Sequence, residues 1–461
     1  MEHPMKPTRL LALLLAACTS VSAWAAPQAQ NIIFFLGDGM GPTTITAARI
    51  YKYGEDGLLN FEKIDRTARI KTYSANAQTT DSAPSMGAYM TGIKINNEVI
   101  SMKDAEPHPP AKDAHGNATV DQCGASNGSV APTILELAKA HGKAVGSITT
   151  TELTHATPAA TFSHVCDRHA QFQIAQQVVP GGAGYNAALG DGVDVLMGGG
   201  RNHFTPYDAK TNPHGRADER DMLAEFEKDG YFVAKTKADM LSALPGKKFV
   251  GIYAAEDHLD WELHRRPEQP SLAEMTAKSI ELLSKNPNGF FLMVEGGKID
   301  HALHDSNAAN ALAETIGFDN AVATAIERMR AVDPGLEHTL IVVTADHDHT
   351  MVMNGYARRG NPILDINRRF DTGLPARDAD GKTFTTLVFG NGPNHPARRE
   401  DVDSATALGE HYHQETGVPT AGESHGGGDV KLYALGAGSA PFKGTMENTH
   451  VFDLMKAAFG F

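Results

Sequence analysis

Cysteine is scarce, with three in 461 residues. One of them, Cys18, stands in the N-terminal segment, so a mature chain keeps Cys123 and Cys166, and an oxidising compartment permits a bond between them. Basic charge is also short: 41 Lys and Arg against 55 Asp and Glu give a net charge of −14. That balance argues against a general nucleic-acid binder and for a soluble protein. It leaves an anionic substrate open, because a bound metal ion can dominate the local field. After the N-terminus no run is long and apolar enough to be a transmembrane helix. Internal repeats, low-complexity tracts and the G-x-G-x-x-G dinucleotide fingerprint are all missing. What is present is ordinary globular composition, 41% hydrophobic and 21% charged, long enough for a large core.

The N-terminus reads as a targeting segment. Lys6 and Arg9 precede the apolar run Leu10–Ala17, and Ala23-Trp24-Ala25 offers a small-x-small cleavage site. Residues 1–25 are therefore expected to be a signal peptide, giving a periplasmic or secreted protein. Leu15-Ala16-Ala17-Cys18 also fits a lipoprotein signal, in which Cys18 would carry a lipid anchor. The soluble reading stands ahead of it.

Apolar strand candidates alternate with helical patterns. Strands are expected at Asn31–Leu36, Ala144–Thr149, Gly289–Val294 and Thr339–Thr344, and helices at Ala131–His141, Ser271–Leu283 and Ala308–Val332. The alternation predicts an α/β fold: a largely parallel central sheet with helices on both faces. Residues 27–461 are read as one catalytic domain. Residues 351–423, rich in Gly, Pro, Asn and Arg, form an insertion with a short strand at Thr385–Phe389.

Three of these strands end in chemistry. Asp38 follows the first, Glu295-Gly-Gly-Lys-Ile-Asp300-His301-Ala-Leu-His304 follows the third, and Asp346-His347-Asp-His349 follows the fourth. Ligands collect outside the carboxyl ends of parallel strands, so these residues can converge. Carboxylates and imidazoles there suit zinc, and two such runs suggest more than one metal. In Thr80-Asp81-Ser82-Ala83-Pro84-Ser85-Met86, Ser82 is the candidate nucleophile, placed at a helix start whose free N–H groups suit a phosphate. The bland alternative is that Ser82 only caps that helix.

Six motifs occur in the order found in alkaline phosphatases, which the chain resembles from Asn31 to its C-terminus: G-D38-G-M-G, D-S82-A, A-T157-P-A, V-E295-G-G-K-I-D300-H-A-L-H304, T-A-D346-H347-D-H and E-S-H425-G-G. The resemblance implies one zinc on Asp300, His304 and His425 and a second on Asp38, Asp346 and His347. It implies a magnesium on Asp38, Thr157 and Glu295. Arg168 matches the arginine that clamps two phosphate oxygens, for which a guanidinium fork is suited. The implied reaction is hydrolysis of phosphate monoesters, through a phosphoserine on Ser82, to an alcohol and inorganic phosphate. A homodimer is also implied, with the insertion near the dimer surface or the site mouth.

Two positions depart from the best-known bacterial pattern. His155 stands where that pattern has Asp, and His301 where it has Lys, as in the animal enzymes. His155 is expected to weaken the magnesium site or to admit zinc there. His301 is expected to reach phosphate through water, with a charge that varies with pH. His349 is read as a partner holding a ligand such as Asp300. His395, His411 and His413 are read as surface residues. The acids near Tyr253–His258 and Glu268–Ser271 do not complete the calcium site of the animal enzymes.

The rival readings are a phosphodiesterase or sulfatase on the same core, and a non-catalytic zinc-binding protein. Met86 stands where the sulfatase signature has Arg, and zinc storage needs neither Ser82 nor Arg168.

Overall fold

The computed structural model describes Met1, residues 28–120 and residues 123–461. The signal-peptide and Cys18 readings therefore lie outside the described residues. Within them no helix is long and apolar enough to cross a membrane.

A ten-stranded sheet organises the chain. Its centre is four parallel strands in the order Thr339–Ala345, Asn31–Gly37, Phe290–Gly296 and Ala144–Glu152. Val195–Gly199, Phe249–Ile252 and Phe232–Ala234 extend it on one side, all parallel. On the other side Val430–Gly436 runs against both of its neighbours, Thr339–Ala345 and Arg66–Lys71. The central strands are buried along their lengths, which explains their unbroken apolar runs. Two groups of helices cover the faces. Ala308–Val332 packs with Leu272–Leu283, Lys298–His304 and Pro42–Tyr53; Ser82–Thr91 packs with Ala156–Phe162 and Asn448–Phe459.

The predicted helix over 308–332 forms with those bounds. The helix expected from Ala131 starts later, at Ile134, because Thr133 and Glu136 form a capping box there. The insertion carries its own three-stranded sheet, Met351–Met353, Leu387–Gly392 and Thr416–Pro419. Its strand begins two residues beyond the expected Thr385. At the insertion's root a two-residue antiparallel ladder pairs Asp348 with Gly426 and His349 with His425. Cys123 and Cys166 form a disulfide across 43 residues.

Candidate active site

The register of the central strands delivers the site. Gly37 pairs with Ala345 and with Gly296, so Asp38, Asp346 and the turn after Gly296 emerge side by side. Glu295 is the next-to-last residue of its strand and pairs with Thr149. Gly39 takes φ +65, and a Cβ there would collide with the His349 ring. Its N–H donates to Asp346 Oδ1 at 2.9 Å, fixing that carboxylate.

Ser82 is the first residue of its helix, and the cap is Asp81, whose Oδ1 accepts from Ala83 N–H at 2.7 Å. The capping reading of Ser82 is thereby corrected: the neighbouring carboxylate does that work. The Ser82 hydroxyl, 2% exposed as a residue, instead faces Asp38 Oδ1 at 3.3 Å and His347 Nε2 at 3.4 Å.

Around it the donors fall into groups. His304 Nε2 lies 3.3 Å from Asp300 Oδ1, His425 Nε2 lies 3.4 Å from the same oxygen, and the two imidazole nitrogens are 3.1 Å apart. His347 Nε2 is 3.3 Å from both Asp38 Oδ1 and Asp346 Oδ2. Donors about 2.0–2.1 Å from one tetrahedral zinc would stand about 3.3 Å apart, so this spacing fits a cation. Asp38, His155 and Glu295 converge in a third group, and Thr157 Oγ1 lies 3.5 Å from Asp38 Oδ2. Asp346 Oδ2 and Glu295 Oε1 are buried without hydrogen-bond partners, another mark of a site shaped for cations.

Electrostatics agree. Burial, then Asp300 and Glu295, hold the Asp38 carboxyl well above its ordinary range. Burial pushes Glu295 up to about 7, and burial with Asp38 does the same to Asp346. Such crowding of carboxylates is relieved by bound positive charge. Asp300 differs: burial would raise it, but His304, His349 and His425 outweigh burial and hold it well below the carboxylate range.

Supporting residues stand behind these groups. His349 Nε2 meets Asp300 Oδ1 at 2.7 Å, where the sequence reading placed it, and its Nδ1 meets Glu423 Oε2 at 2.5 Å. Arg168 donates from Nη1 to Asp81 Oδ1 at 3.2 Å and from Nη2 to His155 Nε2 at 3.1 Å. The His155 ring is 5.3 Å from that of His301, and His258 lies 4.1 Å from His301. Burial and His258 push the His301 imidazole down to about 4. His395, His411 and His413 are exposed.

Sequence reasoning assigned no role to Asp81, Glu423 or His258. Asp81 and Glu423 stood inside motifs, one residue before Ser82 and two before His425, and that adjacency was the available signal. Nothing local marks His258.

Fold and site define a metal-dependent hydrolase of the α/β class. The alkaline phosphatase family model matches residues 29–461. The chain is 36% identical to the alkaline phosphatase of Gadus morhua, over 92% of this chain and 90% of that one. It is 34% identical to the tissue-nonspecific isozyme of Homo sapiens, over 93% and 83%. The structure is similar to that of Thermus thermophilus alkaline phosphatase, with TM-score 0.69 and 25% identity over 97% of this chain and 96% of that one. The chain belongs to the alkaline phosphatase family. It is a phosphomonoester hydrolase.

Proposed function

We propose that the chain cleaves phosphate monoesters through a phosphoserine on Ser82. The observation that carries this is the Ser82 hydroxyl, relieved of capping and held between Asp38 and His347. Asp300, His304 and His425 would hold one zinc; Asp38, Asp346 and His347 would hold the second. Asp38, Thr157 and Glu295 would hold magnesium, their oxygen donors matching that ion's preference; His155 beside them makes zinc a competitor there. The bound metals supply Lewis acidity, acidifying hydroxyl and water and neutralising charge that develops on oxygen.

The chain's own groups do the rest. The N-terminus of the helix Ser82–Thr91 turns its N–H groups toward the incoming phosphate. Arg168 presents its fork to two non-bridging oxygens, steadied from behind by Asp81 and His155. His301 reaches the phosphate through water. The Ser82 oxygen attacks phosphorus and the ester oxygen departs with the alcohol. Water then attacks the phosphoserine, restoring Ser82 and releasing inorganic phosphate.

A grip confined to phosphate favours a monoester over a diester, whose second substituent would take one of the oxygens facing Arg168. Rates on a phenyl phosphate, its bis-ester and the matching sulfate ester test this; a faster bis-ester or sulfate reaction refutes it. We also propose a periplasmic or secreted location, read from the N-terminal segment, with a lipid anchor at Cys18 as the alternative. We also propose a homodimer, in which the exposed Tyr356, Phe370 and Leu374 of the insertion are apolar surface suited to a partner. Molecular mass in solution checks it.

A further inference from the structure

A cavity of about 650 Å³ opens beside His301 and His304, and the reaction described above leaves its outer wall without an assigned ligand. Its size is that of a small-molecule site. In an in-line displacement the alcohol leaves opposite Ser82, whose hydroxyl faces Asp38 and His347, and therefore on the side of the Asp300, His304 and His425 group, which borders this space. Trp261 is the one large aromatic in its wall among the described residues.

The wall around Trp261 is pinned. Lys298 Nζ stands 3.7 Å from the centre of the indole ring and donates to Leu259 O at 2.5 Å. Asp260 N–H donates to Gln269 Oε1 at 2.7 Å, and Glu262 N–H donates to Glu314 Oε1 at 2.8 Å. Lys298 lies two residues before Asp300 yet turns away from the metal donors toward this ring. A half-buried, fixed indole loses little freedom when a second ring settles on it. Charge narrows the ligand further. Arg266, the exposed cation at the rim, is paired through one side of its guanidinium with both oxygens of Asp260 at 2.5 and 3.0 Å, and Asp257 and Asp305 add negative charge to the wall, so the rim disfavours a second phosphate.

We infer that this cavity is the leaving-group subsite and that Trp261 sets its specificity. It favours monoesters whose alcohol carries an uncharged planar aromatic ring, such as nucleoside monophosphates, over aliphatic ones. The inference rests on the phosphomonoesterase reading and on the His304 group as the leaving side.

The test compares kcat/KM for adenosine 5′-monophosphate and glycerol 3-phosphate in the metal-loaded wild type, Trp261→Ala and Trp261→Phe. Loss of base stacking predicts a roughly tenfold fall for the nucleotide in Trp261→Ala. Glycerol 3-phosphate should change by less than about twofold, and Trp261→Phe should restore most of the nucleotide rate. An equal fall on both substrates, or none on the nucleotide, overturns the proposal. A binding measurement runs beside it. Trp24 and Trp261 are the two tryptophans of the chain, and Trp24 falls in the expected signal peptide, so protein beginning at residue 27 reports from Trp261 alone. Saturable quenching of its emission by adenosine supports the subsite, and absence of quenching refutes it. Wild-type protein that turns over neither ester would refute the phosphomonoesterase reading instead, with the adenosine titration still deciding the subsite.

Discussion

His349 Nε2 lies 2.7 Å from Asp300 Oδ1, so an imidazole outside the proposed metal donors orients one of them. Glu423 takes the other nitrogen of the same ring. Together they fix which Asp300 lone pairs face His304 and His425. Removing such partners typically costs about 10–100-fold in metal affinity. His349→Ala should therefore lose zinc on dialysis against a mild chelator at a concentration that leaves the wild type loaded. Added zinc should restore its activity. Unchanged zinc retention would show that Asp300 needs no such support.

Replacing Ser82 separates chemistry from metal binding. Ser82→Ala should keep its metals and lose turnover by on the order of 10³-fold or more. Incubation of the wild type with labelled inorganic phosphate at acid pH should mark a peptide containing Ser82. Label elsewhere, or turnover undiminished in the alanine variant, would sink the covalent route.

Much of this was legible locally, and the limits are physical. Buried parallel strands are apolar along their whole length, so Phe290–Gly296 and Thr339–Ala345 announce themselves, and so do the polar residues that end them. Strand order is not local: nothing in Val430–Gly436 states that it runs against Thr339–Ala345. The ladder that sets His349 opposite His425 closes over the insertion, and its register depends on packing across more than one element. Asp81 was visible as a residue, but its double duty became visible only when Arg168, 87 positions away, folded against it. His258 had no signal, because its neighbours His301 and His155 come from other elements.

Metal-free protein should lose stability as pH rises. Burial lifts Glu295 and Asp346 to about 7, above the unfolded carboxyl values near 4. A group raised in this way leaves the fold unpenalised below about pH 4. The penalty grows as pH rises toward 7 and is complete above it. Each group contributes on the order of a few kcal/mol. Glu314, also lifted to about 7 by burial, lies outside the donor groups and acts equally with and without metal. Tm of chelated protein should therefore fall between about pH 4 and 7 more steeply than Tm of the zinc- and magnesium-loaded protein, the interval between the unfolded and folded carboxyl values. Parallel curves would mean that these carboxylates do not answer to bound cations.

Arg168 tests the phosphate grip apart from the metals. Its guanidinium is aligned by Asp81 and His155, and the chain around it is held by the Cys123–Cys166 disulfide and by the Arg168 N–H donating to Glu98 O at 2.7 Å. Arg168→Ala removes charge-assisted hydrogen bonds, so competitive inhibition by inorganic phosphate should weaken roughly 10–100-fold. Arg168→Lys keeps the charge and loses the fork, and should recover only part of that affinity. Cys123→Ser leaves every polar group of the grip in place and frees only the backbone behind it. Phosphate inhibition in that variant should weaken less than in Arg168→Ala, while Tm falls because the unfolded chain is no longer cross-linked. Phosphate inhibition unmoved in Arg168→Ala would remove this residue from the substrate site, whatever the cysteine variant does.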